Sequence, residues 1–151
     1  MANRNVVFYG VAASVFLLDR VTKLLTVHYI QSGSGVHFPF ISFVHVLNTG
    51  TAFGLLKNAS LLLGLFAFIV SMFLVAKHVS FDRKLEPVLG LILGGALGNL
   101  ADRILYGAVI DMIDVHFWPV FNVADAAISV AIVLLLALDI KASKARGKHK
   151  V

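Results

Sequence analysis

Hydrophobic positions along the chain form four long stretches, which predict helices over about 6–30, 59–76, 87–106 and 120–138. The second stretch has no charged residue and just reaches the roughly 18–20 residues that a bilayer span requires. Pro87 opens the third stretch, and proline is typical of the first turn of a helix. The pattern predicts an all-α membrane protein, a four-transmembrane-helix bundle forming a single domain over 1–151.

The region between the first two stretches has a different pattern. From Val36 to Leu47 it is rich in Phe, Val and Ile and has no Asp, Glu, Lys or Arg, a composition that favours short strands. Pro39 restricts the first part of this segment to the edge of a sheet. Because unpaired backbone is not stable in hydrocarbon, we expect these strands at the membrane interface or against protein.

The composition narrows the class of protein. Hydrophobic residues make up 59% of the chain and charged residues 14%, and the mean hydropathy is +0.90. A globular chain has about 45–50% apolar and about 25% charged residues, so a soluble monomer and a disordered chain are both excluded. There is no cysteine, which excludes disulfides, Cys-ligated zinc and a Cys nucleophile.

The basic residues predict the orientation. The net charge is +5, and the bases outside the predicted spans are concentrated at Arg4, in the 77–84 loop and in the tail at 139–151. Lys57 is the one base expected on the opposite side. The excess of Lys and Arg in cytoplasmic loops of membrane proteins then predicts cytoplasmic termini and a basic cytoplasmic tail, so no nucleic-acid partner is needed to explain the charge.

Polar side chains inside the spans fall at one depth. With about 1.5 Å of rise per residue, Asp19, Asn99, Asp102 and Asp125 lie roughly 18–22 Å from the inner boundary, in the outer third of a core of about 30 Å. An ionisable group near the bilayer centre costs about 2.5–3.5 kcal/mol or more, so each needs a partner or a cavity. The sequence therefore predicts a polar site near the outer boundary.

Two interpretations of these acids are open. In the first, each acid pairs with a base close in sequence: Asp19 with Lys23 at a spacing of four, and Asp102 with Arg103. These residues would then have a mainly supporting role.

In the second interpretation, Asp111 and Asp125 form a catalytic pair, because neither has a Lys or Arg within four positions. Two adjacent carboxyls share one proton, and such a dyad can activate water and polarise a carbonyl, as in peptide hydrolysis. A metal cluster at Asp111, Asp114 and His116 is a weaker pattern, and we expect His116 with its aromatic neighbours at the membrane interface.

Other functions remain possible from the residues alone. Asp19, Asp102 and Asp125 would also suit a small proton- or cation-coupled transporter, although no internal repeat is visible. A catalytically inactive binding protein is a further alternative. Gly94 and Gly98 lack the lysine of a phosphate-binding loop, and we interpret them as close-packing positions between helices.

Five ordered segments resemble prolipoprotein signal peptidase, also called signal peptidase II. In chain order they are 19–23 (DRVTK), 48–54 (NTGTAFG), 94–103 (GGALGNLADR), 107–111 (GAVID) and 121–125 (FNVAD). Together they extend over most of the chain except the tails.

The resemblance implies a bacterial inner-membrane aspartic endopeptidase with its active site on the outer side. It would cleave the signal peptide just before a cysteine that carries diacylglycerol, with no metal and no cofactor. The implied partners are diacylglyceryl prolipoproteins, membrane lipid and globomycin-type inhibitors, and the implied fold adds a small extracytoplasmic β-sheet to the four spans. The dyad maps onto Asp111 and Asp125, and the lining and supporting residues are Asn48, Gly95, Asn99, Arg103, Asn122, Asp19, Lys23 and Asp102.

Three features depart from the family pattern. Met112 follows the first aspartate where phenylalanine is common, and Thr51 replaces a common alanine. The connection from Asp111 to Asp125 is also short, which puts the gating of the site and the substrate preference in question.

Overall fold

The computed structural model describes residues 3–50 and 59–148, with side chains described up to Lys141. Thr51, Lys57 and the rest of 51–58 lie outside the described residues, as do 149–151 at the end of the predicted tail. Four α-helices are present in the described part: α1 (Arg4–Tyr29), α2 (Ser60–Lys77), α3 (Glu86–Tyr106) and α4 (Val123–Lys148). Three strands accompany them: β1 (Gly35–His37), β2 (Ser42–Asn48) and β3 (Val109–Asp114).

The four predicted helices are confirmed as helices, with differences at the ends of the fourth. α4 begins at Val123 rather than near 120, because Asn122 caps it, and it continues through the predicted tail as far as Lys148. Within 3–50 and 59–148, three helices are long and apolar enough to cross a membrane: 60–80, 83–106 and 123–141. α1 is not among the three, and it carries Asp19, Arg20 and Lys23.

α3 is the central helix and packs against the other three. Its Gly90 and Gly94 face the backbone carbonyls of Phe8 and Ala12 on α1, where a β-carbon would come within 2.7 and 2.5 Å of those oxygens. On another face, a β-carbon at Gly95 would come within 2.6 Å of the Ala124 carbonyl oxygen of α4. The prediction that these small residues allow close helix packing is confirmed for Gly94.

The outward faces of the helices are apolar and exposed. Examples on α2 are Leu61, 88% exposed, and Phe66, 65% exposed, and α4 exposes Val133 and Leu136 in the same way. Exposed apolar surface of this extent is unfavourable in water and matches the hydrocarbon of a bilayer. The structure is therefore that of a membrane protein.

The three strands form one antiparallel sheet in the order β1-β2-β3. β1 and β2 confirm the strands expected over Val36–Leu47 and extend one residue beyond that segment at each end, whereas β3 is not predicted from the sequence. α3 ends at Gly107, whose φ of +69° allows a left-handed cap, and the chain turns there directly into β3. Val46 on β2 pairs with Asp111 on β3, which brings the sheet to the C-terminal end of α3 and the N-terminal end of α4.

A second polar cluster closes the opposite end of the bundle. Arg4 donates to the Glu86 carboxylate and to the backbone oxygen of Phe81, while His78 lies 2.8 Å from Glu86 Oε2. The His78 ring stacks on Phe8 with ring centres 4.0 Å apart. These contacts tie the start of α1 to the connection between α2 and α3.

We predict that Gly94→Ala destabilises the protein, because the new methyl group would meet the Ala12 carbonyl and the Val15 side chain. Overpacking of this kind costs about 1–3 kcal/mol. Gly10→Ala is the matched control, since a β-carbon at Gly10 meets nothing within 4 Å and alanine favours the helix. Thermal unfolding in detergent should show a lower midpoint for Gly94→Ala only; equal midpoints would contradict the packing described here.

Candidate active site

Lys23 is the centre of a buried polar network at the end of the bundle that carries the sheet. It is 1% exposed, and its ammonium lies 2.8 Å from Asp19 Oδ2, 2.7 Å from Asp102 Oδ2 and 3.1 Å from Asn99 Oδ1. An ammonium has three protons to donate, so these contacts satisfy it completely. The predicted Asp19–Lys23 pair is confirmed within α1, and the contacts of Lys23 with Asp102 and Asn99 link α1 to α3.

Asp102 does not pair with its neighbour Arg103, as the first interpretation of the acids proposed. Its partners are Lys23 and Arg20 of α1, because the α1–α3 contact turns Asp102 toward that helix. Arg20 also donates to Asp19 and to the Gly98 carbonyl. Two acids and two bases therefore balance one another, and Arg20 is a member of the network that the sequence analysis does not include.

The two network carboxylates also hold the elements that carry Asp111 and Asp125. Asp102 Oδ2 accepts a hydrogen bond from the backbone N–H of Ile110, one residue before Asp111. Asp19 Oδ1 accepts one from the backbone N–H of Ala124, one residue before Asp125. The network therefore fixes both backbone segments relative to α1 and α3.

Asp111 lies on β3 and is 2% exposed. Its carboxylate accepts hydrogen bonds from two amides, Asn48 Nδ2 at 2.9 Å and Asn122 Nδ2 at 2.7 Å. Asn48 lies on the neighbouring strand, two residues beyond the position opposite Asp111, which is within cross-strand reach. The sheet register thus brings Asn48, the first residue of the 48–54 motif, to Asp111.

Asp125 lies in the first turn of α4, where it forms a reciprocal cap with Asn122. The Asn122 side-chain oxygen accepts from the Asp125 N–H at 2.9 Å, and the Asp125 carboxylate lies 3.4 Å from the Asn122 N–H. The other end of the same amide donates to Asp111. One buried asparagine side chain therefore contacts both aspartates.

The side-chain amide of Asn99 has its direction fixed by its hydrogen bonds. Its oxygen accepts from Lys23 and from Asn122, both at 3.1 Å, so its nitrogen is left to donate to Asp125 Oδ1 at 2.7 Å. Because the Lys23 ammonium can only donate, it determines which end of this amide faces Asp125. The hydrogen bond that Asp125 receives from Asn99 thus depends on Lys23 of α1.

Burial raises the pKa of the Asp111 carboxyl to about 7, and the charge of Asp125 acts in the same direction. The amide hydrogen bonds from Asn48 and Asn122 oppose this shift because they stabilise the ionised form. Asp111 therefore titrates near neutral pH. Two carboxyls under these conditions can hold one proton between them.

A cavity of about 720 Å³ opens onto this pair. Both aspartates line it, together with Asn48, Asn99 and Arg103, and most of the remaining wall is apolar. Arg103 donates to the Asn99 carbonyl, and its Nε has no hydrogen-bond partner within the part of the chain that the structure describes. The cavity thus combines two carboxyls, a guanidinium and an apolar wall.

The structure brings the predicted site residues together in two layers. Asn48, Asn99, Arg103, Asp111 and Asp125 line the cavity, and Asn122 lies directly behind the aspartates. The network behind them contains Asp19, Lys23 and Asp102, and Gly95 allows α4 to approach α3. Among residues 3–50 and 59–148 no three metal-ligand side chains are grouped to hold an ion, so the metal alternative has no support.

Known proteins resemble the chain over most of its length. The family model of signal peptidase (SPase) II matches residues 11–141. The lipoprotein signal peptidase of Thermodesulfovibrio yellowstonii is 42% identical over 142 residues, which cover 88% of this chain and 96% of that protein. The lipoprotein signal peptidase of Aquifex aeolicus is 43% identical over 141 residues, covering 85% and 83%.

A solved structure described as a bacterial membrane enzyme has the same fold. It superposes with a TM-score of 0.82 at 27% identity and covers 88% of this chain and 87% of its own. A second such enzyme gives a TM-score of 0.77, again at 27% identity. With the family match, the relatives and the fold in agreement, the chain belongs to the signal peptidase II family.

Proposed function

We propose that this chain is an aspartic endopeptidase that removes the signal peptide from diacylglyceryl-modified prolipoproteins, just before the lipidated cysteine. The relatives named lipoprotein signal peptidase support the substrate class. The catalytic type rests on one observation: Asp111 and Asp125 line the same cavity, and the amide side chain of Asn122 donates to the Asp111 carboxylate while it accepts from the backbone N–H of Asp125. The transporter alternative has no support from these relatives.

In the proposed reaction the two aspartates share one proton. The ionised carboxylate takes a proton from a water molecule, whose oxygen attacks the scissile carbonyl carbon, while the protonated carboxyl gives its proton to the carbonyl oxygen. As the tetrahedral intermediate collapses, the C–N bond breaks. The carboxyl that took the water proton passes it to the leaving nitrogen, and a hydroxyl of the intermediate returns a proton to its partner. The products are a signal peptide carboxylate and a lipidated cysteine with a free amine.

The neighbouring residues orient this chemistry. Asn99 and Asn122 hold the carboxyls through hydrogen bonds of 2.7 Å each, so little reorganisation is needed during the reaction. Arg103, with its buried Nε lacking a partner in the described part of the chain, is suited to bind carbonyl oxygens of the peptide or of the diacylglyceryl group. Asp19, Lys23 and Asp102 act through these residues as positioning groups.

We place the protein in the bacterial inner membrane as a single domain with four spans. α1 would be the fourth span, its Asp19, Arg20 and Lys23 compensated by Asp102 of α3. Arg4, Lys77, Arg83 and Lys84 lie at the end opposite the dyad, so the excess of bases favours cytoplasmic termini and an active site that faces the outer side.

The apolar wall of the cavity supports membrane lipid and globomycin-type inhibitors as further partners. Its lining from α4 includes Ile128 and Val130, which are suited to contact lipid chains of the substrate. Globomycin-type inhibitors would occupy the same cavity and block the dyad. No nucleic acid, metal or cofactor takes part in the proposed reaction.

We predict that Asp111→Asn and Asp125→Asn each lower cleavage of a diacylglyceryl prolipoprotein by at least about 100-fold, since general acid–base catalysis contributes about 10²–10⁴. Cleavage is measured with purified protein in detergent by the mobility shift of the precursor. Asp139→Asn is the matched control, because Asp139 is an exposed aspartate at the far end of α4. Normal maturation by either dyad variant would contradict the proposed function.

We also predict that the cleavage rate falls as the pH rises above about 7. The folded Asp111 carboxyl holds its proton up to about this pH, and loss of the proton leaves no acid for the carbonyl oxygen. The measurement is the initial cleavage rate of the wild-type protein from pH 5 to 9, with the same lipidated substrate throughout. A rate that rises steadily to pH 9 would contradict a shared proton.

The same shift gives a test that needs no substrate. Because the pKa of Asp111 rises from 3.8 to about 7 on folding, the folded state binds more protons between these values. Its contribution to stability is therefore fully present below about pH 4 and is lost as the pH rises through 7. Relative to Asp111→Asn, the thermal unfolding midpoint of the wild type should fall as the pH rises from 4 to 7. Parallel plots of midpoint against pH for the two proteins would contradict the raised pKa of Asp111.

A further inference from the structure

The loop 114–120 forms one wall of the proposed catalytic cavity. It is closed at its base by paired backbone hydrogen bonds between Ile113 and Phe121, of 2.8 and 3.0 Å. Most of its side chains line the cavity: Val115, Phe117, Trp118, Pro119 and Val120. Phe117 is 87% exposed and Trp118 is 56% exposed, so the wall that a substrate meets is apolar.

A side-chain contact joins this loop to the sheet. His116 Nε2 lies 2.9 Å from the hydroxyl of Ser42 on β2, and the same hydroxyl lies 3.0 Å from His37 Nδ1 on β1. Ser42 is completely buried. A hydroxyl has one proton and two lone pairs, so it accepts from at least one of the two rings, and the three side chains form one continuous hydrogen-bonded chain.

The backbone of the loop needs such a contact. His116 has a φ of +67°, a left-handed conformation that is unfavourable for a residue with a β-carbon. Conformations of this kind persist where surrounding contacts hold them. Two contacts do so here: the His116 N–H donates to Asp114 Oδ1 at 2.7 Å, and the imidazole ring bonds to Ser42.

We propose that Ser42, His37 and His116 form a latch that positions the 114–120 loop as the apolar wall against which the lipidated substrate binds. The three residues touch neither aspartate, so they are positioning residues that act through Phe117 and Trp118. The latch sets the affinity for the apolar surface of the substrate and leaves the chemical step unchanged. This inference rests on the proposed function for its substrate.

Ser42→Ala and His116→Gly test the latch from its two sides. Ser42→Ala removes the shared hydroxyl. His116→Gly removes the ring at an exposed position and supplies the residue that adopts a positive φ without strain, so the loop backbone is not penalised. Loss of one such hydrogen bond lowers the population of the positioned loop, so we expect KM to rise about three- to tenfold with kcat unchanged.

Trp118 provides a second measurement that does not depend on activity, because it is the single tryptophan of the chain. In detergent or in lipid nanodiscs, release of the loop should lower its fluorescence anisotropy and raise its quenching by acrylamide. Ser34→Ala is the matched control: Ser34 lies on the same hairpin, is exposed, and donates to the Gln31 carbonyl outside the latch.

The double variant Ser42→Ala/His116→Gly should be no worse than either single variant, since both changes break the same connection. That result, with raised KM and lower anisotropy in each single variant, supports the latch. Values of KM and anisotropy equal to those of Ser34→Ala in both single variants would overturn it, and so would a fall in kcat at constant KM.

Asp111→Asn separates the two proposals. If Asp111→Asn still cleaves normally, the proposed function fails, whereas the anisotropy of Ser42→Ala continues to report on the loop. If Asp111→Asn is inactive and the Ser42→Ala anisotropy matches that of Ser34→Ala, the latch alone is wrong.

Discussion

The contacts of the buried Lys23 ammonium are the interaction on which the half of the structure next to the sheet depends. A lone charge in this environment would be strongly unfavourable, and removal of one partner from a buried ion pair costs about 3–5 kcal/mol. Here three oxygen acceptors surround it, from Asp19, Asp102 and Asn99. The requirement that these groups meet fixes the contact between α1 and α3 at the level of the site.

This network also positions the two carboxyls that we propose to be catalytic. Asp19 and Asp102 accept backbone hydrogen bonds from the residues just before Asp125 and Asp111. Because Lys23 donates to the oxygen of the Asn99 amide, the nitrogen of that amide faces Asp125 and donates to its carboxylate. The stable charges are thus satisfied among themselves. Within the described residues, the two carboxyls of the cavity receive hydrogen bonds from neutral donors only, and this allows Asp111 to keep its proton up to about neutral pH.

How much the sequence could predict depends on the distance over which each contact acts. The helices followed from long, mainly apolar stretches, and the Asp19–Lys23 pair from a spacing of four on one helix. Arg20 and Asp102 could not be paired in this way, because their contact exists only once α1 and α3 pack through Gly90 and Gly94. β3 was missed because its register depends on pairing with a strand more than sixty positions earlier.

The division of the polar network between helices has a consequence for how the protein is made. α1 carries three charged residues near one end, and their partners on α3 and α4 lie about eighty or more positions later in the chain. Until Asp102 of α3 is inserted during synthesis, α1 therefore has one acid, Asp19, for its two bases, Arg20 and Lys23. In the four-span arrangement proposed above, lateral release of α1 into lipid is favourable only as part of the assembled bundle, so completion of the polar site and completion of membrane integration become the same event.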